Sequence, residues 1–163
     1  MANDATINLT STLLPLAIQQ VVTGTTTITP ADANDKWFYN STLLGNSSRD
    51  MIEGVYIANL QAHGTVPTTI HADDKCRFIW IYNTGTTDGS TSTTNSVYIV
   101  TDGGTAANGT DDAIEVPAGY TWFGQLPNTT VGNVHSCIGQ ANAAGTASGT
   151  VQCLIAGILD DVA

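Results

Sequence analysis

Cys76-Arg77-Phe78-Ile79-Trp80-Ile81-Tyr82 is the stretch that decides the fold. It is a near-continuous apolar run, as expected of a β-strand covered on both faces. Asn83-Thr84-Gly85 ends it, and a polar tract through Asn95 carries the chain to Ser96-Val97-Tyr98-Ile99-Val100. Asp102-Gly103-Gly104 turns the chain again. Ala113-Ile114-Glu115-Val116 leads through Pro117-Ala118-Gly119 into Tyr120-Thr121-Trp122-Phe123. The segments Val131 to Ile138 and Thr150 to Ile158 close the series. Strands this short, with turn signals about every 8–15 residues, indicate a β-sandwich or barrel. The expected core includes Phe78, Trp80, Val97, Ile99, Val151, Cys153 and Ile155, with Gln152 on the opposite face of the last strand.

Upstream of this series, Lys36-Trp37-Phe38-Tyr39-Asn40 is a compact aromatic run followed by the turn-rich Leu44-Gly45-Asn46-Ser47-Ser48. Met51 to Leu60 reads as a further strand, with Gly54 as a bulge position. Residues 1–35 alternate sparse apolar clusters with threonine-rich stretches and are too interrupted to build a core of their own. Leu13 to Val22 fits either a short helix beginning near Pro15 or an extended strand, and the extended form is favoured. Thr25 to Thr29 is a good edge strand. The expected organisation is therefore an N-terminal arm over 1–35 and a β-sandwich domain over 36–163. The arm's apolar residues, Ile7, Leu9, Leu13, Val21, Val22 and Ile28 among them, are expected to find a partner surface, with Val21-Val22 and Thr25–Thr29 adding as a strand to an exposed sheet edge. Fully extended, the arm spans at most about 115–125 Å.

Composition supports the all-β reading. Of 14 acidic residues twelve are Asp and two Glu, and there are only four Lys and Arg, so the residues that usually coat exposed helices are nearly absent. A charged fraction of 11% is far below the usual ~25%. A net charge of −10 leaves no basic stripe to displace counterions from phosphate or to hold an anionic membrane surface. Nucleic acid and membrane are therefore not expected partners. No run approaches the ~18 apolar residues of a membrane span. The first ten residues lack the basic n-region of a signal peptide, which points to synthesis in a cytoplasm without export.

No residues are assigned a catalytic, cofactor-binding or metal-binding role, and no cofactor is expected. Cys76, Cys137 and Cys153 have no CxxC spacing and read as buried thiols, with a Cys137–Cys153 bridge as the alternative. The tract Asp102 to Asp112 clusters oxygen donors and glycines but misses the register of a calcium loop, so an acidic connecting loop is the better reading. His63, His71 and His135 lie on separate segments without ligand spacing. His71 lies near Asp73 and Asp74 and reads as an exposed turn histidine. His135 and Cys137 have the parity to touch but no third group to orient them. Asp111-Asp112 and Asp160-Asp161 are adjacent pairs whose side chains would diverge on a strand. Trp122 and Tyr120 could form a sugar-stacking platform, although a strand Trp more often packs in a core. Asn-x-Ser/Thr triplets at Asn8, Asn40, Asn46, Asn108 and Asn128 are what chance gives in a chain this rich in Asn and Thr.

The pattern Phe78-Ile-Trp-Ile-Tyr-Asn-Thr-Gly85, a polar loop, Val97-Tyr-Ile-Val100, an Asp-Gly turn, Ile114-Glu-Val-Pro-Ala-Gly119 and Gly149-Thr-Val-Gln-Cys-Leu-Ile-Ala156 resembles small β-sandwich structural proteins of tailed-phage virions, particularly head decoration (cement) proteins. It covers roughly residues 66–158. The resemblance implies a jelly-roll-like, antiparallel β-sandwich on the outer surface of a capsid. It further implies a non-enzymatic protein that contacts the major capsid protein between capsomers, and a homo-oligomer with a trimer favoured. The alternative is a carbohydrate- or receptor-binding module of a tail or fibre.

Overall fold

The computed structural model describes residues 5–13, 20–28, 36–45, 49–50, 61–62, 74–108, 112–138 and 149–160. Among these the chain is all-β and antiparallel, with a single 3-10 turn at Val131–Asn133 and no α-helix. The strands are β1 (Ala5–Leu13), β2 (Gln20–Ile28), β3 (Lys36–Leu44), β4 (Arg49–Asp50), β5 (Gln61–Ala62), β6 (Lys75–Asn83), β7 (Val97–Val100), β8 (Ile114–Val116), β9 (Thr121–Thr130), β10 (His135–Cys137) and β11 (Val151–Asp160). They form a two-stranded sheet β1-β2, a four-stranded sheet β4-β10-β7-β8 and a five-stranded sheet β5-β3-β11-β6-β9. After β6 the chain enters the four-stranded sheet at β7, returns at β9, leaves again at β10 and returns at β11.

Both large sheets contribute to one buried cluster. Ile79, Ile81, Val151, Cys153 and Ile155 come from the five-stranded sheet, and Val97, Ile99 and Val116 from the four-stranded one. Burial follows the two-residue period of a strand: Val151, Cys153 and Ile155 are buried while Gln152, Leu154 and Ala156 are half-exposed. The expected core residues Val97, Ile99, Val151, Cys153 and Ile155 are therefore in place.

Phe78 and Trp80 are not. The register with β9 shifts between Cys76 and Phe78, so Cys76 is buried and the inner face then passes to Ile79, Ile81 and Asn83. Phe78, Trp80 and Tyr82 take the outer face, half-buried, and the Trp80 and Tyr82 rings lie 6.2 Å apart. A run that is apolar at both parities carries no signal of which side is inward, and here the branched isoleucines fit the interior. A second register shift between Ile158 and Leu159 on β11 lets both of these consecutive residues be buried.

The N-terminal segment has the expected strand character, but it is not a single extended arm. β1 and β2 pair with each other from Ala5↔Ile28 to Leu13↔Gln20, which shortens the reach of each nine-residue strand to about 30 Å. Among the described residues no strand ladder joins either of them to the two large sheets. The strand expected over Met51 to Leu60 lies outside the described residues.

Candidate functional site

Asn83 closes β6 as a buried polar node. Its side-chain amide donates to the carbonyls of Asn95 and Val116, both at 3.0 Å, and its side-chain oxygen accepts from Gly85 N–H at 3.0 Å. Its backbone donates to Tyr120 O and accepts from Gly119 N. One residue thus ties the ends of β6, β8 and β9 to the start of the polar tract. Pro117 to Tyr120 is a turn closed by Tyr120 N–H on Pro117 O, and Gly119 at φ 80° supplies the left-handed position that a type II turn needs.

The polar tract after Asn83 is built, not loose. Asp88 accepts from the backbone N–H groups of Ser90 and Thr91 and from both of their hydroxyls. The backbone bond from Thr91, then that from Ser90, and the hydroxyl bonds bring the exposed carboxyl down to about 2. Thr84 N–H donates to Gln152 O and Gln152 N–H donates to Thr86 O, so the loop extends the pairing of β6 with β11 beyond Asn83. Gln152 also donates from its side chain to Ser41 Oγ at 2.8 Å. The sequence signal was Asp88-Gly-Ser-Thr91, a side-chain-capped turn.

The acidic tract is anchored by β10 and the turn before it. Gly103 N–H donates to Asn133 O, and Cys137 Sγ donates to Ala106 O at 2.7 Å. His135 Nδ1 lies 2.7 Å from Gly104 O and Nε2 lies 3.0 Å from Gly132 O, so only the doubly protonated ring can donate to both. His135 and Cys137 thus each reach a carbonyl of the acidic tract, Gly104 O and Ala106 O. Asp102 is held below its ordinary range chiefly by the Gly104 N–H, with smaller help from Asp112 and from the charge of His135. Among the described residues, no three His, Cys, Asp or Glu side chains gather where a metal ion could sit; Asp111 lies outside them.

All three cysteines are buried thiols outside any disulfide, as their hydrophobic reading expected. Cys137 and Cys153 belong to different sheets and different buried clusters, so the alternative bridge is absent. Burial pushes the Cys76 and Cys153 thiols up to about 12, which keeps them protonated and poor nucleophiles. His63, His71, Asp73 and Asp161 fall outside the described residues, while Asp74 is buried beside β6.

The proposed platform residues separate. Trp122 packs against the core, and Gly124 is what admits it: a Cβ there would lie 2.9 Å from the indole Cζ2. Tyr120 is exposed in its turn. The accessible aromatic surface is instead the outer face of the five-stranded sheet, where Trp80 of β6 is paired with the exposed Phe123 of β9 and flanked by Phe78 and Tyr82. The five-stranded sheet also holds three of the four cations, Lys36, Lys75 and Arg77, against a single acidic residue, Asp160. In a chain of net charge −10 this sheet carries more cations than acids. This combination can bury against another surface or stack on flat apolar faces. Compared with known proteins, the chain matches no protein-family description, no curated protein and no solved structure.

Proposed function

We propose that the protein is a non-enzymatic structural component of a tailed-phage virion. In this reading it sits on the capsid surface as a homo-oligomer and contacts the major capsid protein between capsomers. The observation that carries it is the acid-poor, aromatic outer face of the five-stranded sheet in an otherwise strongly acidic chain, a surface suited to burial against protein.

Strand order supports a jelly-roll sandwich. β3-β11-β6-β9 faces β4-β10-β7-β8 across a shared core, and the chain alternates between the sheets as two interlocked Greek keys do, with β5 as an added edge. That architecture serves capsid proteins and lectins alike, so it narrows the function without fixing it. The test is co-purification of the tagged protein with intact heads, followed by electron microscopy of the decorated particles. Retention on heads at capsomer junctions is the expected result, and protein found only at tail tips or free in solution overturns it.

The half-exposed Trp80 and Tyr82 and the exposed Phe123 favour one second reading, a carbohydrate- or receptor-binding module. Glycan-array binding that Trp80→Ala abolishes would establish it in place of capsid decoration.

A further inference from the structure

We infer that His135 is a proton-operated latch that holds the segment Asp102–Ala107 over a second, small apolar core and releases it when the ring loses a proton. This core is Val100, Ala106 and Cys137, with Tyr98 and Ala113 packed against it, and it is separate from the core that the two large sheets share. Cys137 is fully buried with its Sγ donating to Ala106 O at 2.7 Å, which places the thiol beneath this segment.

The segment is fastened to β10 and to the turn before it. Gly103 N–H donates to Asn133 O at 3.0 Å, and the approach is so close that a Cβ on Gly103 would lie 2.9 Å from Asn133 Oδ1. His135 adds the contact from Nδ1 to Gly104 O at 2.7 Å. An imidazole is the ordinary side chain that gains or loses a proton between about pH 5 and 8, so this contact is the pH-sensitive one.

The other ring nitrogen is engaged as well, with Nε2 3.0 Å from Gly132 O. A neutral imidazole has one N–H and one lone pair, so in either tautomer a lone pair would face a carbonyl oxygen. Both nitrogens belong to one rigid ring, and turning it off either oxygen spoils the line to the other. Gly132 is 3 residues away along the chain and Gly104 is 31 away, so the long-range contact is the one that opens.

The charges around the ring act in the same direction. Asp102 accepts from Gly104 N–H at 2.8 Å, a bond that, with Asp112 and the charge of His135, keeps its carboxyl below the ordinary range. Asp102 is therefore a carboxylate wherever an imidazole titrates, and neutralising the ring removes a positive charge beside this acidic pair. Across the strands, β4 sets Asp50 and β7 sets Val100 level with His135, while Tyr98 of β7 is level with Cys137 and bonds Glu115. The turn Val131–Asn133 carries no charge. The segment is thus held on the acid side of the ring's titration and freed on the alkaline side.

The latch involves no partner, so it stands or falls apart from the capsid reading. The experiment labels the full chain with a small thiol-reactive disulfide between about pH 5 and 8 and locates the label on Cys76, Cys137 and Cys153 by mass spectrometry. Each rate is divided by that of the urea-unfolded chain at the same pH, which removes the thiolate's own pH dependence. The Cys137 ratio should rise at least about fivefold from the acid to the alkaline end, the worth of one hydrogen bond. Cys76 and Cys153, in the shared core, should stay constant. His135→Gln, neutral throughout, should abolish the rise. A flat Cys137 ratio, all three thiols rising together, or a rise that persists in His135→Gln overturns the inference. Should His135→Gln fail to fold, the rise must share its midpoint with the His135 ring signals in a nuclear magnetic resonance titration, and a different midpoint overturns it.

Discussion

Four of the five strands of the larger sheet are nine or ten residues long and carry hardly any acid, whereas the four-stranded sheet is made of strands of two to four residues bordered by acidic loops. The first draws its stability from a continuous buried face: Ile79, Ile81, Cys153 and Ile155 are fully enclosed. The second contributes Val97, Ile99 and Val116 to the same core, but β10 and the loops around it also depend on directed polar bonds, such as Cys137 to Ala106 O and His135 to Gly104 O. Among the described strands, one sheet is a foundation with an aromatic outer face and unpaired edges at β9 and along β3 beyond Trp37. The other is a lid whose loops are individually tied.

The largest effect should come from cutting into the foundation. Ile81 and Ile155 face each other at 0% exposure, and Ile81→Ala should cost about 2–5 kcal/mol by urea denaturation. A cost near zero would mean that the sheets do not share one core.

The joint between the sheets comes next. Asn83→Ala removes two donors and one acceptor from a buried site and should cost about 1–3 kcal/mol. Asn83→Asp should be worse than Ala at neutral pH, because a carboxylate cannot donate to the Asn95 and Val116 carbonyls. An Asp variant as stable as wild type would break the role of Asn83 as a joint.

Trp80→Ala sharpens the difference between the two faces of β6. The side chain is larger than that of Ile81 yet half-exposed, so its loss should cost only about 1–2 kcal/mol, less than Ile81→Ala. The reverse order would return Trp80 to the core.

The smallest effect belongs to the Asp88 loop. Its folded carboxyl at about 2 lies below the ordinary 3.8, so it supports the folded loop above the ordinary value and loses that support as pH falls through about 2. Nuclear magnetic resonance should show the Asp88 carboxyl titrating near 2. The Ser90 and Thr91 amides should lose exchange protection in the same window. Titration near 3.8 would remove the capped turn.

Much of this was legible in the sequence because strands announce themselves locally. The turn residues around Gly85, Gly103 and Gly119 and the alternation of Val151, Cys153 and Ile155 were sufficient for class and for much of the core. What was not legible depended on relations between distant residues. The parity of Phe78 to Tyr82 was set by an irregularity opposite β9, invisible in a run apolar at every position. The hairpin needed the Ala5↔Ile28 register, and nothing local says that a threonine-rich segment pairs with itself. At the candidate surface, Trp122 was drawn inward by the space above Gly124, a cue present in the sequence but weak without its neighbour's geometry. The polar tract looked featureless because hydroxyls and amides leave no hydropathy pattern, although Asp88 and Asn83 each organise a local network.

The position of β11 between β3 and β6 also sets a timetable. β3 is made early, yet the partner that covers it from Leu44 to Lys36 follows on the order of 100 residues later, roughly 5–20 s of synthesis. During that interval β6 and β9 are both made and can pair, while β3 has, among the described strands, only the two-residue β5 beside it. The last strand thus acts as the keystone of the large sheet. Folding is expected to be slow and dominated by distant pairings, with the nascent β3 edge as the point most in need of shielding by a chaperone.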